Sequence, residues 1–279
     1  MLATTDYSPY LNDRVTIAEV IDTRTARLSR ALSWTHFGQI AQGVDMRGEV
    51  GLLSRSITVI GAPDGLAQGK STGAIITFAA GDNLRVAVEG VSVVNGGQNE
   101  IGKYPFHFHL DGVMPDGTYL RDCAVVDSNF RCVTIHGTHN VLVQGNVAYN
   151  SIGHCFFIED SVEQNNTFSY NLAILTKVKT YAPRLGSDEL ALSSFWITNT
   201  YNNFEGNVAV GCENTGYWIQ ARQYVTGPSW SSGQWRNYRP VYQPLKSFKN
   251  NVAHSCMHGL QADGHGGDPF DSPPVINVA

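Results

Sequence analysis

Short runs that alternate apolar and polar residues dominate the chain, and the stretch KYPFHFHL at residues 103–110 shows the pattern most clearly. His107 and His109 alternate there with Phe106 and Phe108. A period of two residues is typical of a strand with one buried face. We therefore predict a strand whose phenylalanines face the core and whose two imidazoles lie exposed on the opposite face.

A tripeptide of the type Asn-Val-Ala recurs along the chain: DCA at 122, NVA at 146, NLA at 171, NVA at 207 and NVA at 251. The first three copies start 24 and 25 residues apart, and the later copies are separated by longer intervals. A repeat of this length, with insertions in some copies, is typical of one coil of a parallel β-helix. The first residues of the repeats should stack in one structural ladder: Asp122, Asn146, Asn171, Asn207 and Asn251.

A second column of apolar residues follows from the same register and should point inward: Phe108, Ile135, Ile158, Ile197 and Ile219. Residues on either side of an inward position point outward. The outward column that follows contains His109, His136, Glu159, Thr198 and Gln220. The outward column that precedes contains His107, Thr134, Phe157, Trp196 and Trp218.

Two insertions, at about 176–192 and 222–245, are longer than ordinary turns between strands. Long loops on a rigid scaffold are often functional. We predict that they leave the coil beside the aromatic row and wall a groove. The aromatic residues of the second insertion either stack on sugars or pin the loop to the helix: Trp230, Trp235, Tyr238 and Tyr242.

The fold class that these patterns predict is all-β. We expect a right-handed parallel β-helix over residues 49–279, preceded by a small antiparallel β segment over residues 1–48. A hydrophobic content of 42% and a charged content of 15% supply a core and argue against disorder. A net charge of -5 disfavours nucleic acid as a partner, and no apolar run is long enough to span a membrane.

The five cysteines show neither a metal-type spacing nor a disulfide framework, so we expect small buried packing residues.

The candidate chemistry lies in the outward columns. His109, His136 and Glu159 should occupy three consecutive rungs about 4.8 Å apart, where their side chains can meet one ligand. Imidazole nitrogen with carboxylate oxygen suits Zn²⁺, Mn²⁺, Ni²⁺ or Fe²⁺, whereas Ca²⁺ prefers more oxygen ligands. The same groups are also consistent with acid–base catalysis or with a structural polar ladder.

Other residues extend this candidate site. His154 and Asp111 are further candidates for catalysis. The candidate substrate-binding residues are His107, Arg131, Phe157, Trp196, Trp218, Arg222 and Trp230. An exposed aromatic row on a rigid sheet would suit stacking against sugar rings.

Six blocks of sequence resemble one known family: residues 43–57, 104–112, 130–143, 151–168, 192–203 and 225–229. The blocks are similar to the cell-migration-inducing hyaluronan-binding proteins, with their transmembrane hyaluronidase and fibrocystin-like relatives. The resemblance implies the end of a G8 domain over residues 1–48, followed by a right-handed parallel β-helix. It further implies an extracellular or cell-surface protein that binds hyaluronan and takes part in its depolymerisation.

The insertion at 176–192 lacks the cysteines of the animal loops, so another uronic-acid polysaccharide is open as a substrate. A hydrolase would need a carboxylate pair, such as Glu159 with Asp160 or Asp111. A lyase would need a base and a cation that neutralises the uronate. The rival interpretation is a non-catalytic glycan-binding or adhesion module of a larger surface protein.

Overall fold

The computed structural model describes residues 1–62, 72–79, 85–178 and 192–263. The N-terminal part contains two antiparallel pairs: β1 (Ile17–Val20) with β2 (Ala26–Leu28), and β3 (Ile40–Ala41) with β4 (Val44–Asp45). The remaining strands form three parallel sheets. The boundary between a G8-like segment and the β-helix at residues 48 and 49 stays a prediction.

Successive strands pass from sheet to sheet, and each completed coil adds one strand to every sheet. The first sheet contains β5 (Ile57–Ile60), β8 (Val91–Val94), β11 (Ala124–Ser128), β14 (Val147–Ile152), β17 (Leu172–Lys177), β20 (Val208–Cys212) and β23 (Val252–His254). The second sheet contains β6 (Ile76–Phe78), β9 (Phe106–Val113), β12 (Val133–His139), β15 (Phe156–Ile158), β18 (Ser193–Ile197), β21 (Thr215–Gln220) and β24 (His258–Asp263). The third sheet contains β7 (Ala87–Glu89), β10 (Tyr119–Arg121), β13 (Leu142–Gln144), β16 (Thr167–Ser169), β19 (Asn203–Glu205) and β22 (Ser247–Lys249).

These stacked parallel sheets confirm the predicted all-β fold and the parallel β-helix. The insertion between β21 and β22 carries the short helix α1 (Gly227–Ser231) and a 3-10 turn at Pro240–Tyr242. Within the described residues, the chain forms no helix with the length and apolar character needed to cross a membrane. Of the predicted insertion at 176–192, residues 179–191 lie outside the described part of the chain.

The coil interior is filled by like residues stacked on like. The predicted inward column is confirmed, because Ile135 pairs with Phe108 and with Ile158 on neighbouring strands and all three are buried. A second interior stack runs from Phe156 to Phe195, whose rings lie 4.8 Å apart between centroids. Burying each such side chain contributes about 1.5–3 kcal/mol to folding. The interior therefore supplies the rigid frame that fixes the outward columns.

The asparagine ladder is confirmed at four of its five predicted positions. Asn171 Nδ2 donates to Asn207 Oδ1 at 2.9 Å, and Asn207 Nδ2 donates to Asn251 Oδ1 at 3.0 Å. Asn146 Nδ2 donates in the same way to Asn171 Oδ1 at 2.9 Å. Each amide also accepts a hydrogen bond from the backbone of the preceding coil, so the ladder satisfies buried polar groups at this corner.

The prediction for Asp122 was wrong by one residue. Ala124 pairs with Val147, so Cys123 stands level with Asn146, and its backbone N–H donates to Asn146 Oδ1. Asp122 instead takes the corner position level with Gly145, where both residues have positive φ, 50° and 65°. The tripeptides look alike, but the corner requires a left-handed residue immediately before the ladder.

The expectation that the five cysteines are small buried packing residues outside any disulfide framework was wrong for two of them. Cys132 and Cys155 form a disulfide between neighbouring coils, immediately before β12 and β15. The two residues are 23 positions apart in sequence, one coil length, so stacking brings them together. Cys123 and Cys212 are free and buried, as expected.

Candidate functional site

Three histidines converge on the outward face of the second sheet. His109 on β9 pairs directly with His136 on β12, and His107 lies two residues before His109 on the same face. The Nδ1 atoms of His109 and His136 are 3.2 Å apart. Ligand nitrogens of all three histidines lie within 4.8 Å of one another. We call this group the histidine cluster.

A β-bulge follows the cluster immediately. The register between β9 and β12 shifts after His136, and both Leu110 and Gly137 have positive φ, 58° and 55°. The carboxylate of Glu163 fixes the bulged backbone, since Glu163 Oε1 accepts the N–H of Gly137 at 2.7 Å and that of Asp160 at 2.9 Å. Bulges re-aim side chains next to functional sites, and this one shifts the pairing of β9 and β12 by one residue just past the two facing histidines.

Two histidines of the cluster are held by outer partners. His107 Nδ1 lies 2.9 Å from the carbonyl oxygen of Gly102. His136 Nε2 lies 3.1 Å from Asp160 Oδ2. The same oxygen of Asp160 accepts the N–H of Ser229, and Gly227 stands so close that a Cβ there would clash with Asp160 Oδ1. Asp160 thus joins the cluster to the start of α1.

Glu159 borders the cluster on the next coil. Its Oε1 accepts a hydrogen bond from the Tyr104 hydroxyl at 3.0 Å, and its Oε2 lies 3.7 Å from His136 Nδ1. The ring of Tyr104 packs edge-on against His107, with centroids 4.9 Å apart. The structure therefore brings His109 and His136 together, places Glu159 beside His136, and adds His107 to the group.

The electrostatics of the group follow from burial and close charges. Burial, followed by the charges of His109 and His136, lowers the pKa of His107 to about 3. Burial also acts to lower the pKa of His136, but the carboxylates of Asp160, Glu159 and Glu163 outweigh it and raise that pKa to about 9. Burial raises the pKa of Glu159 above its ordinary value. The group thus combines imidazoles of opposite protonation tendency beside several carboxylates.

The expectation that the two imidazoles of KYPFHFHL lie exposed was wrong. His107 is only 1% exposed and His109 is half-buried, while His136 is 4% exposed. The alternation correctly predicted that these side chains point away from the coil interior, but the outward face of the sheet is covered here. An outward side chain on a covered sheet must find partners within the protein.

The aromatic row is likewise outward and buried, which corrects the prediction of an exposed sugar-stacking surface. Phe157, Trp196 and Trp218 form their own cluster and are between 1% and 4% exposed. Their rings stack almost parallel, with centroid distances of 4.5 Å and 5.2 Å. In this arrangement the rings pack against one another and leave no face for a sugar.

Several other predicted site residues join the aromatic row instead of the histidine cluster. His154 is fully buried, packs 4.2 Å from the Trp196 ring, and its Nδ1 contacts the Ser193 hydroxyl. The guanidinium of Arg131 lies 5.0 Å from the Phe157 ring centroid, and that of Arg222 lies 5.7 Å from the Trp196 ring. These contacts pair cations and an imidazole with aromatic faces.

The remaining predicted residues are more peripheral. Asp111 follows the histidines on β9, and its backbone N–H donates to the Thr138 hydroxyl at 3.2 Å. Trp230 on α1 is 41% exposed and contacts Tyr224 edge-on. Their catalytic and substrate-binding roles stay predictions.

A cleft of about 750 Å³ opens beside the histidine cluster. Its described walls include Leu110 and Gly137, the residues that follow His109 and His136, and Trp235 from the second insertion. The other lining residues are Gly112, Val113, His139, Asn140, Val162, Gln164, Asn165, Pro228, Ser229, Ser232 and Gln234. The second insertion therefore walls a cleft as predicted, although the cleft borders the bulge and not the aromatic row.

The aromatic residues of that insertion divide between both predicted roles. Trp235 faces the cleft and packs 5.7 Å from the His139 ring. Tyr238 pins the loop to the coil, because its hydroxyl accepts a hydrogen bond from Asn199 Nδ2 at 2.9 Å. Burial raises the pKa of Tyr238 to about 12, in keeping with this structural contact.

Sequence reasoning missed Glu163 and gave Asp160 only a secondary place. The signal was present in the segment EDSVE at 159–163, which places three carboxylates directly after the buried strand β15. His139 was also missed as part of the cleft. It lies at the end of β12, three residues after His136, where the strand leaves the sheet beside the insertion.

The stacked sheets define a parallel β-helix protein. A cluster of histidines and carboxylates on one sheet face lies beside a cleft that the second insertion lines. The chain belongs to the CEMIP beta-helix family, whose model matches residues 71–260. It is 34% identical to the cell migration-inducing and hyaluronan-binding protein of Mus musculus, over 91% of this chain and 22% of that protein. It is 30% identical to the cell surface hyaluronidase CEMIP2 of Homo sapiens, over 91% of this chain and 21% of that protein.

A third relative extends the family beyond proteins named for hyaluronan. The chain is 33% identical to fibrocystin-L of Homo sapiens, over 88% of this chain and 7% of that protein. The chain therefore spans about a fifth or less of the length of these relatives.

Proposed function

We propose that this chain is the glycan-binding β-helix of an extracellular protein, and that it binds and depolymerises an acidic polysaccharide such as hyaluronan. The observation that carries the proposal is the group of histidines and carboxylates beside the open cleft. The names of two relatives, one hyaluronan-binding and one a hyaluronidase, support the same substrate class. The disulfide between Cys132 and Cys155 suits an oxidising, extracellular environment.

The cleft offers the contacts that a sugar chain needs. Trp235 supplies an aromatic face, and Asn140 and Gln164 supply amide groups for hydroxyls. Lys246 brings a cation to the rim, since its ammonium donates to the cleft-lining Asn165 at 2.7 Å. An ammonium at this point can pair with the carboxylate of a uronic acid residue.

Cleavage requires groups that exchange protons with the sugar chain, and the segment 159–163, whose Val162 lines the cleft, carries three carboxylates. Glu159 is the best placed of them, because one of its oxygens lies near the histidine cluster while the other is held by Tyr104. A hydrolase would use such a carboxylate with a second one, and a lyase would use a base beside a cation.

A second candidate function is glycan binding without cleavage. It is favoured by the structural engagement of two of the three carboxylates, since Glu163 holds the bulge and Asp160 holds the start of α1. The relationship to fibrocystin-L fits this alternative equally well.

The test is to incubate the full chain with hyaluronan of defined length and to follow polymer size by size-exclusion chromatography with light scattering. We expect shortening of hyaluronan but not of a neutral glucan. An unsaturated uronate, detected by ultraviolet absorbance, would indicate a lyase, and a new reducing end without it would indicate a hydrolase. Unchanged polymer size together with retained binding would establish the non-catalytic alternative.

Matched variants locate the binding surface. Trp235→Ala should weaken hyaluronan binding, measured by calorimetry, by at least about tenfold, because the stacking of a sugar ring on the indole face is lost. Trp230→Ala is the control, because Trp230 lies in the same insertion but outside the described lining of the cleft. An equal loss of hyaluronan affinity in both variants, or no loss in either variant, would contradict the cleft as the binding site. Glu159→Gln should abolish shortening while leaving binding intact.

A further inference from the structure

Two nitrogens of the histidine cluster have the spacing of ligands on one metal ion, and the third lies close to them. Tetrahedral Zn²⁺ holds its nitrogen ligands at about 2.0–2.1 Å, which places two such nitrogens about 3.3 Å apart. His109 Nδ1 and His136 Nδ1 are separated by 3.2 Å. The third histidine, His107, offers a nitrogen that completes a set within 4.8 Å.

His107 supplies an independent observation that points to a ligand. Its Nδ1 faces the carbonyl oxygen of Gly102, which can only accept, so Nδ1 carries the proton. In the neutral ring Nε2 then presents a lone pair. This atom is buried and has no hydrogen-bond partner among the described residues. The side chain as a whole is 1% exposed. A bound cation would satisfy this buried acceptor.

The outer partners are those that metal-binding histidines use. Ligating imidazoles commonly direct their other nitrogen to a carbonyl or a carboxylate, which fixes the ring and raises its basicity. His107 does so with Gly102, and His136 does so with Asp160. His109 is the half-buried member and lies next to Leu110 at the cleft. An ion held here would have three protein ligands and room for a fourth from solvent or substrate.

We propose that His107, His109 and His136 bind one divalent transition metal ion of the Zn²⁺ class through three imidazole nitrogens. The assignment replaces Glu159 of the sequence-based ligand set with His107 and leaves Glu159 beside the ion. Three nitrogen ligands disfavour Ca²⁺ and Mg²⁺, which require oxygen. The proposal does not depend on glycan cleavage, because a metal site on this face is a property of the folded chain alone.

The primary test uses the full chain after dialysis against a chelator. Titration with Co²⁺ should give a visible absorption band that saturates at one equivalent, and Zn²⁺ should displace it. Ca²⁺ at equal concentration should leave the band unchanged. This measurement needs no variant, and absence of any saturable Co²⁺ or Zn²⁺ binding by the folded protein would overturn the proposal.

Variants then identify the ligands by elemental analysis and calorimetry with Zn²⁺. His107→Gln and His109→Gln should each weaken Zn²⁺ binding by at least about 100-fold, since one of three ligands is lost. His258→Gln, on the exposed end of the same sheet at β24, is the matched control and should bind as the parent does. Circular dichroism confirms that each variant is folded.

Glu159→Gln separates the two possible ligand sets. It should retain Zn²⁺ within about tenfold of the parent, because Glu159 lies outside the three-histidine set. A loss as large as that of His109→Gln, with His107→Gln binding normally, would make Glu159 the third ligand and overturn the assignment of His107.

Discussion

The outward face of the second sheet has two ends that use the same rung geometry differently. At one end the rings of Phe157, Trp196 and Trp218 stack in nearly parallel planes. Both indoles there have acceptors, since Trp196 Nε1 donates to Gln220 and Trp218 Nε1 donates to Asp263. We call this the aromatic end. At the other end, the histidine cluster, His107 Nε2 and Glu159 Oε2 are buried and have no hydrogen-bond partner among the described residues.

The two ends differ in hydrogen-bond satisfaction more than in position or exposure. Both ends are covered, and both are set by strands of one sheet. Stacked aromatic rings gain from burial and need few polar partners, so they stabilise the coil. Buried imidazoles and carboxylates lose solvation and stabilise the fold only if they are fully paired, so incomplete pairing at the histidine cluster costs stability.

The largest effect is expected from breaking the aromatic end. Trp196→Ala removes a buried indole between two stacked rings and should lower the free energy of unfolding by about 3–5 kcal/mol, measured by urea denaturation. Trp230→Ala, at a position 41% exposed, should cost less than about 1 kcal/mol. A loss below about 1 kcal/mol for Trp196→Ala would show that the aromatic end does not hold the coil.

The next effect concerns the link between the two ends. The disulfide between Cys132 and Cys155 joins β12 of the histidine cluster to β15 of the aromatic end and closes a loop of 23 residues. Replacing both cysteines by alanine should lower the free energy of unfolding by about 3 kcal/mol, because the unfolded chain regains that loop's freedom. Cys123→Ala, at a free buried cysteine, is the control and should cost less. Equal stability of the double variant and the parent would contradict the prediction.

A pH-dependent effect is expected at the histidine end. Burial, with a contribution from Asp160, raises the pKa of Glu163 to about 7. The unfolded chain releases this proton near pH 4.3, so between these values the folded state binds more protons than the unfolded state. Stability from this group is therefore greatest at low pH and is lost as the pH rises through about 7.

Glu163→Gln should flatten that decline in urea unfolding measured at several pH values, because the amide cannot titrate. Glu100→Gln is the control, since the Glu100 carboxylate is 65% exposed. A parent and a Glu163→Gln variant with the same slope between about pH 5 and pH 7 would contradict the raised pKa.

The smallest change in stability is expected for a substitution of His107, and it tests the difference between the two ends most directly. His107→Leu removes the buried Nε2 acceptor that lacks a donor, together with the Nδ1 hydrogen bond to the Gly102 carbonyl, whose net contribution is about 1 kcal/mol. In metal-free protein we expect a change in the free energy of unfolding within about 1 kcal/mol, measured by urea denaturation. A decrease in the free energy of unfolding by more than about 2 kcal/mol would show that His107, like Trp196, mainly stabilises the fold.

The architecture of the chain could be predicted from its sequence because it depends on periods. The two-residue period and the repeat length fixed which residues stand level, so Phe108, Ile135 and Ile158 were placed correctly. The error at Asp122 arose because similar tripeptides conceal a one-residue offset, and only the left-handed corner reveals it. Patterns of this kind report neighbours along an axis, but they do not report backbone conformation.

Burial of the outward face could not be predicted, because alternation distinguishes inside from outside the coil and says nothing of what covers the outside. The rings of Phe157 and Trp218 were therefore predicted to be exposed and are not. His107 was left out of the predicted ligand set because only residues of one column were compared, whereas its ring stacks against that of His136 diagonally across rungs. The disulfide was missed because cysteine spacing was compared with motifs and not with the coil length.

The variable coil length has a consequence for how such a protein can change. Ladder residues bonded at 2.9–3.0 Å are separated along the chain by 25, 36 or 44 residues. Spatial neighbours are thus independent of the number of residues that intervene. Loop segments can therefore be inserted or deleted at the corners of the coil while the histidines on β9 and β12 keep their positions. The length of the loops and the arrangement of the histidine cluster can therefore vary independently.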